Sequence, residues 1–587
     1  MGDIDYQALE FIYKPQPARA IDRHTVAIVG AGPVGLTMAI DLAAHGTKVV
    51  VIDDDYRLST GSKAICFAKH TLDIWDRLGA GKKMVDKGIS WHVGRIFFKN
   101  EEVWRFDLLP EPGHRRPAFV NLQQYYCEGF LYELASRDPN IELRWKHKAI
   151  AVQAHADHVD LTVETPDGSY TLRADWLLAC DGSRSPLRKM IGQESHGRIF
   201  RDRFLIADVK MAADFPTERW FWFDPPFHPN QSVLLHSQPD NIWRIDFQLG
   251  WDADPVEEVK PENVIPRIKA LLGENTQFEL KWVSIYTFAC KRMDDFQHGR
   301  ILFAGDAAHC VSPFGARGAN SGVQDADNLA WKLHLVTHGL APASLIGTYA
   351  GEREAAADEN IMNSSRSTDF ITPKSEISLL FRNTVLTLAK DFDFARRLIN
   401  SGRLSVAAAY TGSPLNTPDS DCFNTSLTVG AVAPDAPIVA QGQPGWWLTQ
   451  LSGMFVVAVF CTRQLPAGKL LKQLAELQQN PLGVKVVLVL DPGANSGHAP
   501  QSLKAPRVKF PEPDAPPDGM AGKAERDQRV LNVVIDHEQL MMQRYDATDG
   551  TCYLIRPDQH IAARWRQCDT TTIHDALQRA IGLPDNG

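Results

Sequence analysis

Three glycines, Gly30, Gly32 and Gly35, form a G-x-G-x-x-G run between a β-branched apolar stretch (Thr25 to Gly30) and a stretch of helical pattern (Val34 to His45). Glycines at this spacing cradle phosphate. The first permits a tight turn, the second lets a pyrophosphate reach the backbone, and the third lets helix and strand pack closely. Pro33 and Val34, where the glycine run meets the helix, are also candidates to touch the cofactor, and the positive end of the helix faces the phosphates. Asp53 closes a second apolar strand, Lys48 to Asp53, where a carboxylate can accept hydrogen bonds from a ribose. Asp54 follows it on the same loop. Strand, helix, spacing and acid together predict a dinucleotide site, and the run alone does not say which dinucleotide.

Two further segments carry polar residues at strand ends. LLACDGSRSPLR (Leu177 to Arg188) ends a strand in Asp181-Gly182, with Arg188 beyond. ILFAGDAAHCVSPFGARGANSGVQDADNLAWKL (Ile301 to Leu333) ends a strand in Gly305-Asp306, then turns at Pro313 and glycines into a helix. With the glycine run, these resemble in order the three fingerprints of the group A flavoprotein monooxygenases, the family of p-hydroxybenzoate hydroxylase and phenol hydroxylase. The resemblance covers about residues 24–360.

It implies FAD, with Gly305 and Asp306 at the ribityl chain, where a charge-assisted hydrogen bond is strong. Pro313 and the turn Gly315 to Gly318 would pass beside the isoalloxazine ring. The helix from about Asn320 would aim its positive end at the flavin. By the same resemblance, Asp181 and Arg188 touch FAD and the nicotinamide cofactor, and Gln124 holds the ribityl and phosphate region. Lys63 stands where relatives carry arginine, which loses the bidentate fork. The turn Gly-Ala-Arg-Gly departs from the family's usual pattern through Arg317. Plainer readings stay open: Asp306 as a helix cap, Asp181 and Arg188 as a surface ion pair, Gln124 and Lys63 as ordinary polarity.

The chain has no second G-x-G-x-x-G, so NADH or NADPH is expected to dock transiently, as the resemblance implies. Oxygen would then add to reduced flavin to give a C4a-hydroperoxide that attacks an electron-rich ring, typically a phenol. Candidate pocket residues are Trp222, His236, Trp243, Arg244, Asp246 and Tyr286 on an aromatic-rich stretch, with Pro313 beside them. Strand alternation would bury half of these as core. Asp54 and Asp55 behind the ribose acid would repel a 2′-phosphate, which favours NADH over NADPH.

These residues need a scaffold. A βαβ opening followed by a stretch of alternating strands predicts an α/β fold: a Rossmann-like FAD-binding domain with an inserted antiparallel-sheet substrate domain. An arm covers 1–23. The FAD-binding domain takes 24–203 and 289–360, and the substrate sheet 204–288. A helical segment spans 361–410, a Pro/Gly/Asp-rich linker 411–445, and a C-terminal domain 446–587. Its strand and helix order resembles the thioredoxin-like domain of phenol hydroxylase. Cys461-Thr-Arg-Gln464 lacks the second cysteine of a working dithiol. A structural or dimer-forming role is therefore expected.

The net charge of −9 argues against a nucleic-acid binder. The longest apolar run, Met454 to Cys461, is too short to span a bilayer. No secretory signal pattern opens the chain, and nine scattered cysteines fit reduced thiols, so a cytoplasmic location is expected. With neither CxxC nor HExxH, no metal site is indicated. Other readings are a flavin enzyme of Baeyer–Villiger or epoxidation type, or a non-catalytic flavin-binding scaffold. Halogenation is disfavoured because Trp220-Phe-Trp-Phe runs into Asp-Pro.

Overall fold

The computed structural model describes residues 8–16, 21–59, 61, 63–213, 215–399, 404–463, 465–493 and 531–584. The chain divides into two compact units. The first holds Met1–Pro110, Arg116–Ala330 and Arg353–Val406; the second holds Glu111–Arg115, Trp331–Glu352 and Ala407–Gly587.

In the first unit a mostly parallel sheet runs in the order Gln297–His298, Ile301–Phe303, Gly168–Ala179, Asp22–Val29, Val49–Asp53, Ile141–Trp145. Its central strands are continuous apolar runs because helices and loops cover both faces. Register aligns their ends: Val29 pairs with Ala179 and Ile52, and Ala179 with Phe303. The turns at Gly30, Asp53, Asp181 and Gly305 therefore leave one edge of the sheet, where open α/β sheets bind ligands.

A second sheet has the order His309–Cys310, Glu279–Arg292, His196–Lys210, Ile242–Leu249, Ser232–Gln238, Arg219–Phe223, Val93–Phe98, Glu101–Asp107. It is wider than the expected 204–288, because it recruits the earlier pair of strands at 93–107. It also carries the helix Pro261–Leu272, which the strand-rich pattern hid. Pro266 inside it reads as a breaker, yet Val264 and Ile268 are fully buried against the sheet.

The second unit is built on a seven-stranded sheet: Gln443–Trp446, Pro437–Ala440, Asn532–Ile535, Val484–Leu490, Phe455–Cys461, Cys552–Ile555, Ile561–Trp565. Its middle three strands are parallel. The stretch 411–445, expected as linker, supplies a strand of this sheet, since the short apolar run Pro437–Ala440 pairs with Asn532–Ile535. Residues 331–352, expected in the FAD-binding domain, also fall here: Trp331, Leu335 and Leu345 pack with Phe455 and Leu474. The Pro/Gly-rich stretch 491–527 reads from its sequence as a long loop, and its residues from 494 on lie outside the described residues.

Candidate functional site

The glycine run makes a turn open to a ligand. Gly30 has φ +106°, and a Cβ there would lie 2.4 Å from the Cys180 carbonyl oxygen. A Cβ on Gly35 would lie 1.9 Å from the Gly30 oxygen, so helix and strand touch through hydrogen alone. Gly32 differs: its backbone is ordinary (φ −76°), and a Cβ would meet nothing within 4 Å. The space before the helix Pro33–Ala44 is thus free, and no acid in its first turn offsets its positive end. The Ala31 and Asp55 N–H groups donate to Asp53, at 2.6 and 2.8 Å. Burial nevertheless pushes the Asp53 carboxyl up to about 6, with the charges of Asp54 and Asp55 adding to the rise. Asp54 and Asp55 are themselves exposed.

Opposite this turn stands Gly305-Asp306. Gly305 has φ +63°, and a Cβ there would lie 3.0 Å from Val34 of the first helix. Its N–H donates to Asp325 at 2.8 Å; Asp325 also holds His309 at 2.7 Å and Arg353 at 2.5 Å, all buried. This triad fixes the turn and leaves the Asp306 side chain projecting into open space. The protein crowded around that space raises the Asp306 carboxyl, outweighing the His309 and Lys63 charges that lower it. An exposed surface with a raised carboxyl describes an acid on the floor of a cleft. The Asp306 carboxylate lies 3.9 Å from where a Cβ on Gly318 would stand.

Arg188 is buried and donates to the carbonyls of Ala307, at 2.6 Å, and Ser183, at 2.8 Å. It is therefore a clasp between two turns rather than a surface ion pair. Asp181 accepts from Leu187 N–H at 3.0 Å through one oxygen, while its Oδ1 is buried with no partner. Gln124 accepts from Ala64 N–H at 3.1 Å and donates to Glu128 at 2.7 Å; Glu128 also binds Ser59 through two bonds of 2.9 Å. Gln124 and Glu128 thereby anchor the loop that presents the exposed Lys63.

Pro313–Gly315 forms a single helical turn closed by Ala316 in the left-handed region. Arg317, the departure from the family pattern, is buried and points away, donating to Asn360 at 2.9 Å and to the Leu404 carbonyl at 3.3 Å. Asn320 is also buried: it accepts from Ala68 N–H at 2.8 Å and donates to the carbonyls of Cys66 and Ala316. It ties the long helix Gly318–Thr337 to the neighbouring strand rather than offering itself to a ligand.

The second sheet sorts the pocket candidates by face. His236 pairs with Arg244, Arg244 with Asp208, Leu234 with Asp246, and Phe204 with Tyr286. These side chains share one face. Trp222 and Trp243 lie on the other, in the apolar core beneath the 261–272 helix, so the expectation that they meet substrate is corrected. The period of two decides this.

On the polar face Arg244 forks onto Asp208 at 2.8 and 2.9 Å and lies over the Trp282 ring at 5.6 Å. His236 Nδ1 is 4.0 Å from Cys66 Sγ, and its Nε2 is 4.0 Å from Asp246. Burial, then the Arg219 and Arg244 charges, hold this imidazole neutral, well below its usual range. Burial lifts the Asp246 carboxyl to about 6 and raises the Tyr286 phenol. Arg219 was missed, since its strand reads as an aromatic run. It donates to the Phe314 carbonyl at 3.1 Å, which joins this face to the Pro313 turn. Its Nη1 and the Asp246 Oδ1 are both buried with no partner.

In the second unit Cys461 is buried, and burial pushes its thiol up to about 12, so it is no redox nucleophile. No helix among the described residues is long and apolar enough to cross a membrane.

The open space at Gly32, the floor acid Asp306 and the unpartnered Asp181 oxygen fit a dinucleotide laid along the sheet edge. Comparisons agree. A probable NADH-specific resorcinol 4-hydroxylase of Rhodococcus jostii (strain RHA1) is 33% identical over 340 residues, 57% of this chain and 63% of its own length. A 3-(3-hydroxy-phenyl)propionate/3-hydroxycinnamic acid hydroxylase of Klebsiella pneumoniae is 31% identical over 340 residues, 56% of this chain and 60% of its own. The chain thus matches about three fifths of the length of these relatives. The crystal structure of the flavin-dependent monooxygenase PieE with FAD and substrate shares the fold, with TM-score 0.74, 20% identity, and 96% of this chain and 99% of that one covered. The model of the FAD binding domain matches residues 23–364, a span that holds the glycine turn, Asp306 and the polar sheet face. Matched over more than half its length, the chain belongs to the FAD binding domain family.

Proposed function

We propose that the protein is an FAD-dependent monooxygenase that hydroxylates a phenolic ring with NADH and O2. The observation that carries this reading is the pair of buried, unpartnered atoms on the polar sheet face, Arg219 Nη1 and Asp246 Oδ1. An unmet buried donor or acceptor costs roughly 1–3 kcal/mol. A phenol hydroxyl both accepts and donates, so it can take a bond from Arg219 and give its proton to Asp246. Both groups belong to the face that Arg219 links to the Pro313 turn.

Bound FAD, reduced by the nicotinamide, supplies the activated oxygen. Gly30, Gly32, Gly35 and Asp53 would hold its adenosine and phosphate part, Asp306 and Lys63 the ribityl region, and the 313–318 turn its ring. Asp246 takes the phenol's proton and so enriches the ring carbon that is attacked. Neutral His236 leaves the Asp246 charge uncompensated from its side, and Arg219 steadies the phenolate. The aromatic substrate class has support from the relatives named as resorcinol and hydroxyphenylpropionate hydroxylases.

NADH is preferred over NADPH, since Asp54 and Asp55 stand exposed behind the ribose acid and the Rhodococcus relative is named NADH-specific. Repulsion of a 2′-phosphate there is on the order of 1 kcal/mol, about five-fold in kcat/KM. The second unit, read as a thioredoxin-like domain, serves a structural role, supported by its parallel central strands and the inert Cys461.

The test is a panel of phenols and hydroxylated aromatic acids assayed for stimulated NADH oxidation and for product carrying oxygen from 18O2. Hydroxylated phenol coupled to NADH use is the expected result. Ring-expanded or epoxide product, or no stimulation by any phenol, overturns the reading; higher kcat/KM with NADPH overturns the cofactor preference.

A further inference from the structure

Away from the cleft, the hairpin joining Lys148–Ala154 to Val159–Thr165 turns through His155-Ala-Asp-His158. Its two imidazoles stack, with centroids 4.3 Å apart. His155 Nε2 lies 3.6 Å and His158 Nε2 3.8 Å from one oxygen of Asp160, and the three residues each offer a ligand atom within 4.8 Å of the other two. Both Nε2 atoms are shut off from solvent and have no hydrogen-bond partner.

The surroundings hold the turn and the carboxylate in place. His158 Nδ1 meets the Asp157 carboxylate at 2.7 Å. A carboxylate there fixes the proton on Nδ1 and turns the Nε2 lone pair outward, the arrangement that supports metal-binding histidines. The turn closes through His155 N–H onto the His158 carbonyl at 2.8 Å, and Arg300 donates to the Ala156 carbonyl at 3.0 Å. Arg173, paired across the sheet, forks onto Asp160 with two bonds of 2.6 Å and fixes the carboxylate plane.

We propose that His155, His158 and Asp160 bind a divalent transition ion such as Zn2+ or Ni2+. Two imidazole nitrogens and one carboxylate oxygen suit this class and not Ca2+ or Mg2+, which demand oxygen ligands. Bonds of ~2.0–2.1 Å in tetrahedral geometry place ligand atoms about 3.3–3.5 Å apart, a few tenths of an ångström closer than the two separations to Asp160. Water fills the fourth position. Because the rings stack 18° from parallel, they turn about their side-chain bonds to bring both unpartnered nitrogens onto one ion. Arg173 shares the charge of Asp160, so the site binds more weakly than a closed structural centre. The spacing His-x-x-His-x-Asp is neither CxxC nor HExxH, and the hairpin is what gathers it.

The test uses the tag-free, flavin-loaded full chain, stripped with chelator and titrated calorimetrically with Ni2+. One ion per chain is expected, with affinity at least ten-fold lower in His155→Ala and in His158→Ala while flavin content is unchanged. Co2+ in place of Ni2+ is expected to give visible d–d bands without thiolate charge transfer. Binding that is undiminished in both variants overturns the proposal, as does a Co2+ spectrum dominated by thiolate, which would place the ion on cysteine.

Discussion

At the scale of single residues, the cleft and the sheet face depend on two acids in different surroundings. Asp306 is exposed on a crowded floor, and a charge-assisted bond from it to a sugar hydroxyl would be worth about 1.5–3 kcal/mol. Asp306→Ala is therefore expected to weaken FAD binding roughly ten- to hundred-fold, read as the flavin-to-protein absorbance ratio after gel filtration; full retention would remove Asp306 from the site. In the proposed reaction Asp246 takes the substrate's proton, and burial sets its carboxyl at about 6. Because the unprotonated form acts, kcat/KM should fall as pH drops through about 6, and Asp246→Asn should abolish that limb together with most of the rate.

Stability moves with the opposite sign. The folded carboxyl of Asp246 is raised above its ordinary 3.8, so its contribution is full below that value and is lost as pH rises through about 6. The rise corresponds to on the order of 3 kcal/mol. Asp246→Asn should thus raise Tm at pH 7–8 and lose that advantage near pH 4. A parallel shift at both pH values would refute the burial argument.

At the scale of elements, the strand–turn–helix unit separates two kinds of glycine. Gly30 sits in the left-handed region with a carbonyl 2.4 Å from any Cβ, so Gly30→Ala should destabilise the fold by about 1–3 kcal/mol, seen as a lower Tm with or without flavin. Gly32 has an ordinary backbone and free space. Gly32→Ala should leave the Tm of the apoprotein unchanged while cutting flavin retention. Equal loss of Tm in both variants would mean that Gly32 serves the fold alone. The second sheet shows the same economy: one face closes on a helix and becomes core, and its other face gathers Arg219, His236, Arg244, Asp246 and Tyr286.

At the scale of the whole molecule, each unit keeps a buried ionic knot, around Asp325 in the first and around Glu352 in the second. In the second unit Glu352 binds Lys332 at 2.7 Å and Arg556 at 2.6 Å, and Arg556 also holds Asp558 at 2.5 Å, all fully enclosed. Burial alone would raise the Glu352 carboxyl, yet the two cations hold it well below its ordinary 4.5. Removing one charge from such a cluster leaves others unpaired, at a cost of about 3–5 kcal/mol. Glu352→Gln is expected to lower Tm by several degrees at neutral pH. Since the folded carboxyl is depressed, the contribution of Glu352 persists above about 4.5 and fades as pH falls below it, so the gap between variant and parent should narrow in acid. A constant gap down to pH 3 would show that the ion pairs carry little of the effect.

The sequence by itself determined the phosphate turn, the strand ends that carry Asp53, Asp181 and Asp306, and the family, because each rests on contiguous residues whose local conformation is dictated by glycine, proline and apolar period. Tertiary structure alone decided what those residues touch. Arg188 and Arg317 look like ligand-facing charges in the sequence, but carbonyls and Asn360 claim them, since a buried guanidinium must find acceptors wherever the fold supplies them. Trp222 and His236 were indistinguishable as pocket candidates until strand register put them on opposite faces. Arg219 and Glu128 were passed over because their partners, Phe314 and Ser59, are distant in the chain, and Asp325 because Gly305, His309 and Arg353 meet it only once strand and helices have packed. Residues 331–352 continue a helix legible in the sequence, yet their apolar side chains belong to the second unit's core. Local signals encode conformation; partners separated by a hundred residues or more are chosen only when the sheets have closed.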